Sequence, residues 1–224
     1  MPRQSYFITG TDTGCGKTEI TLGLMARFRA LGERVAGMKP VASGAEPTPL
    51  GLRNDDALRI QAAASMPLTY EAVNPCAFEP PIAPHLAAAE AGEEIALGPL
   101  VEAYRALAAV SDRVLVEGVG GWKVPLNDCD TVADLARALG LPVILVVGMR
   151  LGCINHALLS VESIRTSGCV LAGWVANQVE PEMLRLEENI ATLAQRIDAP
   201  LLGRVPFRQG LDPVTLAGRL ATVP

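Results

Sequence analysis

Short apolar runs recur along the chain, with longer stretches of helical composition between them. The runs cover residues 5–9, 34–38, 113–117, 142–147, 170–176 and 201–205. In the middle of the chain they are rich in β-branched residues and do not alternate with polar positions, as in Val143-Ile144-Leu145-Val146-Val147. Strands with this pattern are buried on both faces, which is typical of a parallel sheet covered by helices.

The stretches between the runs have the length and the Ala and Leu content of crossover helices. They include residues 17–31, 131–139, 153–167 and 182–197. Residues 40–54 and 66–84 are rich in Pro, Gly, Ser and Asn, which predicts loops. The pattern therefore predicts an α/β protein with a mostly parallel central sheet flanked by helices. In such proteins the loops that follow strands carry the binding sites.

Composition narrows the function classes. A chain of 224 residues suits one sizeable domain, here expected over residues 1–224. Half of the residues are hydrophobic but only 4% are aromatic, so Ala, Leu, Val and Ile must build the core. The net charge of −5 and the absence of Lys or Arg runs argue against nucleic acid and anionic membranes as partners.

The cysteines and the apolar runs indicate the compartment. The five cysteines are odd in number, scattered and without a C-x-x-C pair, which fits neither a disulfide framework nor a zinc site. The chain starts in a strand-like run without the features of a signal peptide. The most continuous apolar run, residues 141–149, includes Pro and Gly and is too short to span a bilayer. We expect a soluble, cytoplasmic protein.

The strongest sign of chemistry is the glycine-rich segment GTDTGCGKT at residues 10–18, which follows the first predicted strand and opens a helix. Glycines allow successive backbone N–H groups to converge on phosphate oxygens, and the helix N-terminus adds its positive dipole end. We predict that Lys17 reaches the β- and γ-phosphates and that the Thr18 hydroxyl binds Mg²⁺. Five residues separate the first and last glycines, one more than in the usual P-loop. The fold is therefore expected to be of the P-loop NTPase type.

Cys15 within this loop admits two interpretations. A helix N-terminus lowers the pKa of a thiol, so Cys15 could be an activated nucleophile. We favour the simpler interpretation, a small residue that fits the loop.

Glu117 is the candidate for a second Mg²⁺ ligand. It ends the apolar run 113–117 and precedes Gly118-Val119-Gly120-Gly121. A carboxylate at the end of a central strand is costly to bury unless a cation pairs with it. A solvated strand end is the alternative.

The late segment Asn177-Gln178-Val179-Glu180 bears on the choice of base. A guanine-selecting loop usually reads Asn-Lys-x-Asp, whereas this segment lacks the Lys and has Glu in place of the Asp. Asn177 alone could bond either base. ATP is therefore favoured over GTP.

Several segments taken together resemble the dethiobiotin synthetases, the ATP-dependent carboxylases of biotin synthesis. The segments, in the family's order, are GTDTGCGKT (10–18), MKPVASG (38–44), LRNDDA (52–57), VEGVGGW (116–122), LGCINHA (151–157) and GWVAN (173–177). The resemblance runs from residue 5 to about 213. The pair MKPVASG and VEGVGGW is far more specific than the phosphate loop. Val119 stands where the family often has Ala.

The resemblance implies a reaction of 7,8-diaminononanoate, CO₂ (or bicarbonate) and MgATP that yields dethiobiotin, ADP and phosphate. In the family an amine first forms a carbamate with CO₂. The carbamate attacks the γ-phosphate and forms a carbamic–phosphoric anhydride, and the second amine then closes the ring. The family also works as a homodimer, in which the stretch 152–158 lies at the interface and helps to complete the substrate site.

The resemblance also implies residue roles. Lys17 and Lys39 are the expected catalytic cations. The expected metal ligands are Thr18, Asp56 (rather than its neighbour Asp55) and Glu117. The expected nucleotide-binding residues are Thr13, Gly14, Cys15, Gly16, Lys17, Thr18, Glu19, Asp56, Glu117, Gly118, Val119, Gly120, Asn177, Gln178, Pro206, Phe207 and Arg208. The expected substrate contacts are Lys39, Ser43, Gly121 and Asn155. His85 and His156 are interpreted as structural.

Three other functions compete with this one. A regulatory P-loop ATPase of the partitioning or maturation type usually has a second lysine early in the loop, where this chain has Thr11, Asp12 and Thr13. A nucleotide-binding interaction module without chemistry would leave Lys39 without a role. An amidotransferase-type synthase would need a glutaminase domain, for which 224 residues leave no room.

Overall fold

Six parallel strands form the central sheet of the protein, in the order β10-β9-β8-β1-β7-β2. The computed structural model describes residues 4–207 and 212–221. The strands of this sheet are β1 (Tyr6–Gly10), β2 (Val35–Met38), β7 (Arg113–Glu117), β8 (Val143–Met149), β9 (Leu171–Gln178) and β10 (Leu201–Val205). Each coincides, within two residues at either end, with one of the six predicted runs.

Side chains from the central strands alternate between two hydrophobic cores, one on each face of the sheet. In β1, Phe7 packs in one core, and Tyr6 and Ile8 pack in the other. In β8, Leu145 and Val146 divide in the same way. Because both faces are covered, these strands are almost entirely apolar and do not alternate with polar positions. The predicted parallel sheet, buried on both faces, is confirmed.

Helices cover the sheet on both sides. The helices of the described residues are α1 (Lys17–Ala30), α2 (Asp55–Ala62), α3 (Tyr70–Val73), α4 (Pro84–Glu90), α5 (Leu97–Val110), α6 (Val132–Leu139), α7 (Cys153–Thr166), α8 (Leu186–Arg196) and α9 (Pro213–Ala217). Three of the four predicted helices agree within one residue. The fourth was predicted from residue 182 but begins at Leu186, because Arg185 has the left-handed φ of 58°.

The prediction that residues 40–54 and 66–84 are loops is wrong in part. Short strands lie within them: β3 (Val41–Ser43) pairs with β6 (Cys76–Phe78), and β4 (Glu46–Thr48) forms a hairpin with β5 (Gly51–Arg53). Strands of three residues are too short to show an alternating pattern, and they depend on partners that are distant in the sequence.

The carboxyl ends of the parallel strands meet at one edge of the sheet. The segments after β1, β2, β7 and β9 therefore lie side by side, which is where α/β proteins bind ligands. The helix α2 adjoins this edge, and the Asn54 side chain caps it by accepting a hydrogen bond from the Ala57 amide at 3.2 Å. Within the described residues no helix is both long and apolar enough to cross a bilayer.

Candidate active site

The phosphate loop connects β1 to α1 at the centre of this edge. Gly14 and Gly16 have left-handed φ angles of 77° and 90°, which glycine adopts without strain. The loop is anchored to β8, because the Thr11 amide donates to the Val146 carbonyl at 3.0 Å and the Thr11 hydroxyl accepts from the Gly148 amide at 3.2 Å. The backbone is therefore held open for an anion at the start of α1.

Gly16 also lies against a side chain. A Cβ atom built on Gly16 would lie 2.1 Å from Nδ2 of Asn177, and this nitrogen donates to the Cys15 carbonyl at 2.8 Å. At Gly14, by contrast, an added Cβ would meet nothing within 4 Å. Asn177 thus closes the loop from behind and requires glycine at position 16.

Gly16→Ala is expected to destabilise the nucleotide-free protein more than Gly14→Ala. Both variants incur the left-handed strain of about 1–2 kcal/mol, but only Gly16→Ala displaces Asn177 and breaks its hydrogen bond, which adds about 1–3 kcal/mol. Urea unfolding without nucleotide measures the difference. Equal losses in the two variants would show that Asn177 does not constrain the loop.

A buried cluster of opposite charges lies beside the phosphate loop. Glu117 ends β7 and is fully buried. Its Oε1 atom accepts from Lys39 Nζ at 2.7 Å and from the Thr18 hydroxyl at 2.9 Å. Lys39 also bonds Asp56 Oδ2 at 2.9 Å. The cluster joins residues from α1, α2 and the ends of β2 and β7.

The two carboxylates keep Lys39 charged. Burial alone would lower the pKa of Lys39, but the attraction of Glu117 and then of Asp56 outweighs it and raises the pKa above the usual range. For Asp56, burial would raise the pKa, but Lys39 and the hydrogen bond from Thr18 bring it below its ordinary value. With one ammonium and two carboxylates the cluster has a surplus negative charge, which favours a further cation.

The donor atoms of the cluster fit Mg²⁺. Thr18, Asp56 and Glu117 offer a hydroxyl and two carboxylates, and oxygen ligands are those that Mg²⁺ prefers. Oε2 of Glu117 is buried and has no hydrogen-bond partner among the described residues. No group of three or more His, Cys, Asp or Glu side chains in the described part of the chain is arranged to hold a metal by itself. A metal here would therefore need phosphate oxygens or water as further ligands.

The loop and the cluster border a cavity of about 650 Å³. The predicted site residues that line it are Thr13, Gly14, Gly16, Lys17, Thr18, Glu19, Lys39, Ser43, Asp56, Glu117, Val119 and Gly120. Lys17 Nζ lies over the loop and donates to the Asp12 carbonyl at 2.9 Å. The Ser43 hydroxyl is buried without a hydrogen-bond partner in the described chain, so it is available to a ligand. Asp56 borders this cavity, whereas Asp55 is exposed.

A second cavity of about 180 Å³ adjoins the first. Asn177, Gln178, Pro206 and Phe207 line it, and it shares Gly14, Gly16 and Glu19 with the larger cavity. The Phe207 amide donates to the Gln178 side chain at 3.3 Å, which connects the ends of β9 and β10. The predicted Arg208 lies outside the described residues.

Four predicted site residues do not line either cavity. Gly118 packs behind β1, where an added Cβ would approach the Phe7 ring at 3.1 Å. Gly121 faces the backbone of the phosphate loop, with a Cβ position 3.7 Å from the Gly10 carbonyl. Asn155 is exposed on the first turn of α7. Cys15 is the fourth.

The Cys15 side chain is fully buried beneath the loop, and only its carbonyl takes part in the hydrogen bond from Asn177. Burial raises the pKa of the Cys15 thiol, although the neighbouring Lys17 acts in the opposite direction. A raised pKa and complete burial are typical of an unreactive, structural thiol.

Other residues of the larger cavity were not predicted. They are Asn54, Arg59, Pro81, Ile82, Ala83, Pro84 and Val124. Residues 81–84 were predicted only to be part of the loop 66–84. Arg59 bonds Glu19 at 2.6 Å, and it was not predicted because this partner lies 40 positions away in the sequence. The chain has three lysines; Lys17 and Lys39 are 7% and 5% exposed at the cavity, and Lys123 is exposed.

A parallel sheet with a phosphate-cradling loop after its first strand defines the class of P-loop nucleotide-binding proteins. Solved structures share this fold. A chain of the MinC:MinD cell division protein complex of Aquifex aeolicus matches with a TM-score of 0.57 at 16% identity, over 97% of this chain and 87% of that chain. The septum site-determining protein MinD of Pyrococcus horikoshii matches with a TM-score of 0.54 at 17% identity, over 98% and 87%.

Sequence comparison gives the family. The sequence profile described as an AAA domain (AAA_26) matches residues 4–215. The ATP-dependent dethiobiotin synthetase BioD of Pseudomonas aeruginosa (strain UCBPP-PA14) is 57% identical over 217 residues, 96% of this chain and 95% of that protein. The same enzyme of Cellvibrio japonicus is 54% identical over 92% of this chain and 90% of its own length, and that of Xanthomonas axonopodis pv. citri is 51% identical over 97% of both. The chain therefore belongs to the dethiobiotin synthetase family.

Proposed function

We propose that this protein is an ATP-dependent ligase of biotin biosynthesis that converts 7,8-diaminononanoate, CO₂ and ATP into dethiobiotin, ADP and phosphate. The observation that carries the proposal is that Lys17 and Lys39 both line one cavity. The oxygen ligands Thr18, Asp56 and Glu117 line the same cavity. Phosphoryl transfer depends mainly on positioning the reactants and on neutralising negative charge. Two lysines and a set of metal ligands provide the positive charge for this reaction.

The larger cavity is proposed to hold the phosphates and the diamine. The loop amides and Lys17 bind the triphosphate, with Lys17 turning from the Asp12 carbonyl to the β- and γ-oxygens. Thr18, Asp56 and Glu117 would hold Mg²⁺. When bound, Mg²⁺ neutralises charge on the β- and γ-phosphates.

Lys39 is proposed to stabilise the carbamate, and Ser43 is proposed to bind the substrate beside it. One substrate amine attacks CO₂ and loses a proton, and the resulting carbamate anion is steadied by the Lys39 ammonium. The carbamate oxygen then attacks the γ-phosphorus and ADP leaves. The second amine attacks the carbamate carbon, and phosphate leaves as the ring closes. The unpartnered Ser43 hydroxyl is suited to bind the substrate beside Lys39.

The smaller cavity is proposed to hold adenine. Asn177 and Gln178 offer amide donors and acceptors there, and Phe207 and Pro206 offer apolar surface. The Lys and Asp of a guanine-selecting loop are absent from residues 177–180. This supports ATP as the nucleotide.

We further propose that the protein acts as a homodimer in the cytoplasm. Support for the dimer comes from α7 and the turn before it, where Leu151 and Leu159 are 97% and 57% exposed and Asn155, four positions from each, is also exposed. Apolar side chains exposed together favour a protein partner. In the proposed dimer Asn155 reaches the diamine of the other protomer.

The MinD and MinC:MinD structures share this fold but little of the sequence. Their likeness, at 16–17% identity, concerns the fold alone. The loop residues Thr11, Asp12 and Thr13 supply no second lysine. A fold used by several functions does not decide among them, so the family and the charged cluster favour the ligase.

The reaction is tested by phosphate release from MgATP, with and without 7,8-diaminononanoate and bicarbonate, and by the mass of the product. We expect release only when both co-substrates are present, together with a dethiobiotin mass. Hydrolysis that is indifferent to the diamine would favour a regulatory ATPase instead.

Glu117→Gln is expected to raise the Mg²⁺ concentration that gives half-maximal activity by tenfold or more. The substitution keeps the shape and the hydrogen bonds of the side chain but removes the charge that a divalent cation needs. Titration of activity with Mg²⁺ measures the effect, and Glu188→Gln, an exposed change on α8, is the control. An unchanged titration would contradict a ligand role for Glu117.

A further inference from the structure

The two cavities of the site share one wall. It consists of Gly14, Gly16 and Glu19. The larger cavity contains the phosphate-binding Lys17, and the smaller contains Asn177 at the proposed base position. In a nucleotide the ribose joins the phosphates to the base. If the nucleotide occupies both cavities, its ribose lies at the shared wall.

Glu19 is the member of this wall whose side chain can bond a ribose hydroxyl, since the other two residues are glycines. Its carboxylate lies in the first turn of α1, where the helix dipole favours a negative charge. Oε1 of Glu19 accepts from Arg59 Nη2 at 2.6 Å, and the side chain is 36% exposed. A carboxylate has about four acceptor positions, so the bond to Arg59 leaves room for further donors.

Arg59 compensates the negative charge of the Glu19 carboxylate, which would lie near the triphosphate of a bound nucleotide. It extends from α2, the helix that also carries Asp56, and it borders the phosphate cavity. Its positive charge offsets that of Glu19, which would otherwise repel the phosphates. The bond between them also fixes the direction of the carboxylate, because guanidinium and carboxylate groups pair in a defined geometry.

We propose that Glu19 binds the ribose hydroxyls of the nucleotide, that Arg59 positions the Glu19 carboxylate, and that the pair thereby selects ribonucleotides over deoxyribonucleotides. The inference rests on the proposed function in one respect, that a nucleotide fills both cavities. Acidic side chains accept hydrogen bonds from ribose hydroxyls in other nucleotide-binding folds as well.

The test compares the Kd values of ADP, 2′-deoxyADP and 3′-deoxyADP by calorimetry. We expect the wild type to bind ADP about tenfold or more tightly than at least one deoxy analogue, as for a hydrogen bond to a charged group. In Glu19→Ala this preference is expected to fall below half of its wild-type value. Glu19→Gln, which keeps an acceptor, covers the case in which the alanine variant folds poorly, and it too should lose more than half of the preference. Glu188→Gln, which breaks the exposed Arg185–Glu188 pair, should leave it unchanged.

Equal binding of all three nucleotides by the wild type would overturn the proposal. So would a folded Glu19 variant that keeps more than half of the preference. Because ADP binding needs no turnover, the result is independent of the proposed reaction: absence of dethiobiotin formation would refute the ligase function and leave the binding ratios interpretable.

The positioning role of Arg59 has its own readout. Arg59→Met should lower the preference for ADP as far as Glu19→Ala does, and Arg59→Lys should restore part of it because the lysine can still bond Glu19. A purely structural role would lower thermal stability in both Arg59 variants and leave the ratio of Kd values at the wild-type value.

Discussion

Lys17→Ala is expected to lower kcat for dethiobiotin formation by about 10²–10³-fold, the loss typical for one preorganised donor to developing charge. Lys17 begins α1 at the floor of the cavity and is 7% exposed. Its ammonium bonds the Asp12 carbonyl at 2.9 Å, a neutral partner that it can exchange for phosphate oxygens at little cost. Without it, negative charge that builds on the transferring phosphoryl group has no cation from the loop.

The measurement is single-turnover and steady-state product formation with saturating ATP, diamine and bicarbonate. Lys123→Ala is the matched control, because it removes the exposed lysine of the chain and should leave kcat within about twofold. Circular dichroism and urea unfolding verify that both variants are folded. If Lys17→Ala turned over at a rate near that of the wild type, the phosphate loop would not have the role proposed here.

Lys39→Met is expected both to abolish dethiobiotin formation and to lower the free energy of unfolding by about 3–5 kcal/mol. Met has a similar length but no charge, so the buried Glu117 side chain would lose the cation that donates a hydrogen bond to it. Glu117 is fully buried, and Lys39 bonds it at 2.7 Å. The loss of Lys39 would cost less free energy at Asp56, since its side chain is 38% exposed and water can solvate it.

The double variant Lys39→Met/Glu117→Gln separates the two effects. It removes both buried charges, and the Gln carbonyl can still accept from the Thr18 hydroxyl. We expect urea unfolding to recover most of the lost free energy while activity stays absent. A stability of Lys39→Met equal to that of the wild type would mean that Glu117 has another source of stabilisation.

The central sheet could be predicted from the sequence because its signal is local. Runs such as Val143-Ile144-Leu145-Val146-Val147 are apolar on both faces, and the structure buries them on both faces. The strand order was beyond prediction, since it depends on how crossovers place β7 and β8 on either side of β1. The short strands β3 to β6 were also missed, because they arise from pairing between distant segments.

The candidate site was predictable where chemistry is concentrated in one segment. The phosphate loop was evident from nine consecutive residues, and Glu117 stood out as a charge at the end of an apolar strand. Contacts between distant residues left no such trace: Lys39 meets Glu117 across 78 positions, and Arg59 meets Glu19 across 40. The family resemblance led to the prediction that Lys39 is a site residue, whereas neither the pattern nor the resemblance indicated Arg59.

The distribution of lysines has a practical consequence. Amine-acylating dyes react with accessible, unprotonated amines, whereas the Lys17 and Lys39 side chains are buried and hydrogen-bonded. Among the side chains, Lys123 is therefore the one that such a dye would modify. Its neighbour Val124 lines the larger cavity, so a fluorophore at this position would sit at the rim. Lys123 is thus a native side-chain attachment point at the cavity rim for following nucleotide and diamine entry by fluorescence.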